Sequence, residues 1–151
     1  NPPLRTPKDV EALKQGLKDG TIEVISTDHA PHSAEEKTGS MKNTPFGIVG
    51  LETSLPLTYT ELVEKGVITL KQMVEKMCLN PAKILGLESG TLQEGHPADV
   101  IIVDTEQEYT IDKNKFVSKG HNTPFDGWKV KGKVLYTICD GKIIFENQEE
   151  K

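Results

Sequence analysis

Cysteine is nearly absent from this 151-residue chain. Cys78 and Cys139 are the only two, and no metal-type spacing joins them. Neither a cysteine metal site nor a disulfide framework is therefore expected. Cys78 falls in a helical pattern and Cys139 in a strand pattern, so both are expected as buried thiols in a reducing, cytoplasmic setting. Basic residues are in deficit: 18 Lys and Arg against 23 Asp and Glu give a formal net charge of −5. Without a basic stripe, a nucleic-acid surface is not expected. Lys129, Lys131 and Lys133 alternate as the solvated face of one strand would. No apolar run reaches the ~18 residues of a membrane span. The stretch Gly47-Ile48-Val49-Gly50 lacks the spacing of a phosphate loop, and no nucleophile elbow occurs. An initiator Met is missing too. The chain opens at Asn1-Pro2-Pro3-Leu4-Arg5, as if within a loop, and is expected to be the last part of a larger enzyme.

What is present first is alternating helix and strand. Thr6-Pro7-Lys8-Asp9 reads as a helix start, with a hydroxyl cap, proline at the first helical position and an acid in the first turn. Val10, Leu13 and Leu17 mark one face, and Gly20 is the stop. Ile22 to Thr27 is short and β-branched, as a buried parallel strand is. Residues 33–47 form a long polar loop of the kind that serves as a lid. Leu51 to Lys65 is helical and interrupted by Pro56. Thr69 and Gln72 match a capping box, with Met73, Val74 and Met77 as the buried stripe. Asn80-Pro81 begins a further short helix that stops at Gly86. After Gly90 the character changes to strands. Val100 to Val103 is one, and Asp140-Gly141 between two β-rich runs signals a two-residue hairpin. The boundary falls near 87–92, dividing the chain into 1–88 and 89–151.

The chemistry concentrates at Asp28-His29-Ala30-Pro31-His32. An acid ending a strand, followed by histidines in a proline-stiffened turn, is how a parallel barrel presents reactive groups at its C-terminal rim. Desolvating such an acid is costly unless it is paired, hydrogen-bonded or bound to a metal. Asp28 reads equally well as a metal-held acid/base or as an aspartate capping the next turn. His29 and His32 with Asp28 do not read as a local metal site, because neighbours in so stiff a turn seldom face one ion. His32 reads as a polar group facing an anionic substrate, and His29 as a packing or supporting imidazole. His96 and His121 read as surface residues. Four histidines are too few for a complete two-metal site, so most ligands must come from elsewhere. Asn1 and Arg5 flank a rigid proline pair; an Asn there can offer donors and an acceptor to a small polar ligand, but the residues by themselves read first as an ordinary rigid loop. Thr44-Pro45-Phe46-Gly47 is a turn whose backbone either contacts a ligand or merely reverses the chain.

Asn1-Pro2-Pro3-Leu4-Arg5, Asp28-His29-Ala30-Pro31-His32 and Pro45-Phe46-Gly47-Ile48-Val49-Gly50-Leu51-Glu52-Thr53 together resemble the dihydroorotases of the class I bacterial type. Asn80 to Leu87, Glu94-Gly95-His96-Pro97-Ala98-Asp99 and Thr123-Pro124-Phe125 extend the likeness over nearly the whole chain. The Glu94 to Asp99 stretch is common to many amidohydrolases, whereas the Asp28 to His32 motif is more specific. The resemblance implies an α/β fold: residues 1–88 as the C-terminal part of a metal-dependent (β/α)8 catalytic barrel, and 89–151 as the C-terminal share of a small β-sandwich. It implies interconversion of N-carbamoyl-L-aspartate and L-dihydroorotate in pyrimidine synthesis, with one or two zinc ions. Asp28 is then the zinc ligand and catalytic acid/base, and Asn1, His32, Phe46 and Gly47 are substrate-binding residues. The loop 33–47 would close over the site, and the remaining zinc ligands would lie in the missing part of the enzyme. The isolated chain is expected to be inactive. Its partners would be a small-molecule substrate and the rest of the same enzyme, with a homodimer or an aspartate transcarbamoylase complex left open. The alternatives are a non-catalytic structural partner of that transcarbamoylase and another amidohydrolase such as a hydantoinase.

Overall fold

The structure, a computed structural model, describes residues 6–148. Helix α1 (Pro7–Asp19) starts on a reciprocal cap: the Thr6 hydroxyl accepts from the Asp9 N–H, and the Asp9 carboxylate accepts from the Thr6 N–H at 2.7 Å. Gly20 ends it in the left-handed region. The buried Gly16 lets Ile22 pack close, since a Cβ there would meet the Ile22 side chain at 3.1 Å.

The β-branched run that follows is extended but forms no ladder among the described residues, contrary to the strand expected there. A ladder needs a neighbouring strand, and a helical stretch lies beside this one instead. That stretch begins as α3 (Leu70–Val74), passes through a π turn (Glu75–Leu79) and continues as α4 (Asn80–Leu85). Thr69 and Gln72 cap its start reciprocally, as the sequence indicates. The expected short helix from Asn80 to the Gly86 stop is present as α4, and it continues the helical run that precedes it. Pro81 has no N–H to donate, and the wider π turn just before it accommodates the gap. In the π register the Lys76 carbonyl faces that missing donor, and it accepts the Ile25 N–H at 3.1 Å instead. The buried Lys76 ammonium donates to the Ile22 carbonyl, and Asn80 donates to that of Glu23. The extended run is thus held by a helix's polar groups. Of the expected stripe, Met73 is buried but Val74 is half exposed.

Helix α2 (Ser54–Thr58) runs on into a second π turn (Tyr59–Val63). Pro56 does not interrupt it. It occupies the first helical turn, where an N–H has no partner within the helix.

From Val100 on, the chain forms two antiparallel sheets. Strands β1 (Val100–Asp104), β4 (Lys133–Cys139) and β5 (Lys142–Glu146) make a sheet in the order β1-β4-β5. Strands β2 (Tyr109–Thr110) and β3 (Lys129–Val130) pair separately. The β4–β5 turn places Asp140 at φ 48° and Gly141 at φ 74°. Both signs are positive, as a type I′ hairpin turn requires. The three alternating lysines do not share a strand, because Gly132 at φ 91° breaks the chain between β3 and β4. Lys129 pairs with Glu108 and Lys131 with Glu64.

The buried apolar set is small: Val49, Ile68, Met73, Ala82, Ile111 and Val130. The chain exposes 10885 Å², against roughly 7,600 Å² for a compact monomer of its mass. Ile101 and Ile102 point to opposite faces of β1, and both are exposed, as are Ile143 and Ile144 on β5. Both cysteines are exposed, contrary to expectation. Cys139 ends β4 at the open hairpin turn, where the neighbouring Asp99 carboxylate raises its thiol above the usual range.

Candidate functional site

Asp28 adopts φ 43°, left-handed backbone that costs a non-glycine residue free energy. Its side chain is exposed and has no hydrogen bond or ion pair among the described residues. The alternative of an aspartate capping its own turn is therefore not realised. The bend at Asp28 leads into a parallel bridge between His29 and Ile48, where the Ala30 N–H donates to the Ile48 carbonyl at 2.9 Å. His29 Nδ1 accepts the Gly50 N–H at 3.0 Å. That lone pair is occupied, so His29 anchors the 48–50 turn as a supporting imidazole. No group of three or more His, Cys, Asp or Glu that could hold a metal forms among the described residues.

His32 Nε2 lies 2.9 Å from the Phe46 carbonyl. A carbonyl only accepts, so Nε2 carries the proton. His32 Nδ1 is 3.6 Å from Glu36. The Ser33 N–H and hydroxyl, and after them His32, hold the Glu36 carboxyl below the usual glutamate range. Lys37 reaches from the same loop to the carbonyls of Pro45 and Gly47, each at 2.7 Å. Gly47 sits at φ 104°, and a Cβ there would lie 2.4 Å from Ala30 Cβ. Only glycine lets the 46–47 turn pack against the turn that bears Asp28.

His32, Phe46 and Gly47 are thus brought together, with Asp28 at the head of the same turn. Asn1 lies outside the described residues. Sequence reasoning missed the segment that seats these turns from the far half of the chain. Glu52 accepts the N–H groups of Val117 and Ser118. Gly120 lies against Pro31, where a Cβ would meet Pro31 Cβ at 2.9 Å. Asn122 donates to the Gly47 carbonyl at 3.0 Å, and its own carbonyl accepts the Val49 N–H. A signal existed: Asn-Thr-Pro-Phe occurs at 43–46 and again at 122–125, and the Asn of the second copy docks beside the first. An adjoining cleft of about 1320 Å³, lined by His29, Glu52, Leu55, Ile111 and Phe145 among others, touches none of Asp28, His32, Phe46 or Gly47.

The pattern of the amidohydrolase family matches residues 2–144. The chain belongs to the amidohydrolase family. It is 54% identical over 144 residues to a dihydroorotase of Acetivibrio thermocellus, covering 95% of this chain and 34% of that relative. To a dihydroorotase of Bacillus cytotoxicus it is 53% identical over 148 residues, covering 98% of this chain and 35% of the relative. Among solved structures it superposes on an L-hydantoinase (dihydropyrimidinase) of Arthrobacter aurescens with a TM-score of 0.91 and 37% identity, over 98% of this chain and 34% of the other. A dihydropyrimidinase of Brevibacillus agri gives a TM-score of 0.91 at 26% identity, over 99% of this chain and 34% of the other. This amidohydrolase chain spans about a third of the length of the relatives it matches. No helix among its described residues is long and apolar enough to cross a membrane.

Proposed function

We propose that this chain is the C-terminal third of a cytoplasmic zinc dihydroorotase. Residues 1–88 contribute to its (β/α)8 barrel and residues 89–151 to a β-sandwich. The observation that carries the reading is Asp28, an exposed carboxylate with no partner among the described residues, held in left-handed backbone at the end of an extended run. Strain of this kind, ~1–3 kcal/mol, persists where surrounding structure enforces it, and it clusters at reactive sites. Identity above 50% to dihydroorotases, against 37% to the hydantoinase, favours dihydroorotate over a hydantoin as the ring.

Asp28 fits zinc as one ligand. It is an oxygen donor that no group among the described residues occupies. It does not make a site alone, so the other ligands come from outside the described residues. A bound zinc ion supplies Lewis acidity toward the ring carbonyl and the attacking water. Asp28 takes the proton of that water on its carboxylate and returns it to the departing amide nitrogen. The same steps reversed close the ring of N-carbamoyl-L-aspartate. His32 and Asn1 meet the substrate's polar groups, and the Phe46–Gly47 backbone meets the ring. The loop 33–47 limits bulk water.

The test is ring opening of dihydroorotate by the complete enzyme, with Asp28→Ala measured beside it. The variant is expected to lose about 10³-fold in kcat and to bind less zinc by elemental analysis. Activity and zinc content both unchanged would refute the role. The 151-residue chain alone, given zinc, is expected to turn over nothing. A wild-type enzyme that opens hydantoins and leaves dihydroorotate intact would move the assignment to the hydantoinases.

A further inference from the structure

Two side chains from distant parts of the chain donate to one backbone carbonyl. Lys37 Nζ lies 2.7 Å and Asn122 Nδ2 3.0 Å from the Gly47 oxygen. Lys37 also donates to Pro45, while His32 donates to the Phe46 carbonyl between them. Asn122 Oδ1 is 3.4 Å from the His32 N–H. Every carbonyl from Pro45 to Gly47 is therefore occupied. The N–H groups of Phe46 and Gly47 have no partner among the described residues. A turn of this shape, with glycine at φ 104°, has many conformations when free. Fixing the carbonyls on both sides of Phe46 pins the peptide planes that carry the two open donors.

We propose that Lys37 and Asn122 are positioning residues that clamp the 45–47 turn, Lys37 through the Pro45 and Gly47 carbonyls and Asn122 through that of Gly47, so that the Phe46 and Gly47 N–H groups are preset for a cyclic ureide substrate. This rests on the reading that His32 and the 46–47 turn bind substrate. Preorganised donors lose no freedom when the ligand arrives, so the benefit is in substrate binding. The Lys37 charge on the Pro45 carbonyl also polarises the peptide unit whose N–H belongs to Phe46, which makes that N–H a better donor. Asn122 suits its place because one amide donates to Gly47 while its oxygen faces the His32 N–H. Aspartate, of the same shape, has no donor for the carbonyl.

The test uses the complete enzyme with Asn122→Asp, Lys37→Met and Lys37→Arg. Steady-state kinetics are measured together with amide hydrogen exchange at Ala30 and Val49. Asn122→Asp and Lys37→Met are expected to raise KM about tenfold with kcat changed by less than about threefold, and to speed exchange at both amides. Lys37→Arg, whose planar fork reaches two carbonyls, is expected to restore most of the loss. Faster exchange with wild-type kcat/KM would overturn the proposal and leave a purely structural tie. Unchanged exchange and kinetics would overturn the clamp itself. A wild type that opens a different cyclic amide, with the same KM rise in the variants, supports the clamp and removes only dihydroorotate as its ring.

Discussion

The turns from Asp28 to Gly50 and the β1-β4-β5 sheet are held by opposite means. In the first region His29, His32, Lys37 and Asn122 tie backbone to backbone through polar contacts, and Val49 is its one buried large apolar residue. In the second the backbone is satisfied by its own ladder, while Ile101, Ile102, Ile143 and Ile144 stay exposed. A typical hydrogen bond contributes only about 1 kcal/mol net but fixes direction. Burial contributes about 25 cal/mol per Å² with no directionality. The site region has geometry with little stability of its own. The sheet has regular backbone with apolar area still to be covered.

The largest effect expected in the polar region comes from Gly47→Ala. The added Cβ clashes with Ala30, and the backbone conformation disfavours any side chain, so a loss of about 3 kcal/mol is expected. Urea denaturation measures it, and a loss under 1 kcal/mol would mean that the turn adjusts freely. In the second half, Val130→Ala removes a fully buried group, with an expected loss of about 2 kcal/mol. Ile144→Ala, at an exposed position, is expected to cost under about 0.5 kcal/mol in this chain. Repeating Ile144→Ala in the complete enzyme sharpens the contrast. A cost there above about 1.5 kcal/mol would show that the rest of the enzyme covers that face. The smallest effect is at Glu36. Its folded pKa is depressed, so its contribution is complete above the ordinary glutamate pKa and is lost as pH falls through the lower folded value. An amide-shift titration of Ser33 should show its midpoint below the ordinary glutamate value, and a midpoint at or above that value would remove the Ser33–Glu36 tie.

Local rules made much of the fold legible. The caps at Thr6 and Thr69, the stops at Gly20 and Gly86, and the Asp140-Gly141 hairpin each depend on residues within a few positions of one another. The two prolines differ because their effect depends on helical register. Pro81 opens α4 as the sequence indicates, whereas Pro56, expected to interrupt its helix, lies in the first turn of α2 and does not. Exposure of Cys78 and Cys139 was not legible, since it depends on what covers a face rather than on the pattern of that face.

The sequence by itself determined the turn that carries the candidate site. Asp28 to His32 and the glycine at 47 are written in the order of residues, because a stiff proline turn and a left-handed position are local demands. Only the tertiary structure decided who holds that turn. Lys37 acts from across its own loop, and Glu52, Gly120 and Asn122 act on backbone far along the chain. A backbone carbonyl is the same at every residue, so apart from the recurrence of Asn-Thr-Pro-Phe nothing in the sequence around Gly47 announces which side chain will come to it.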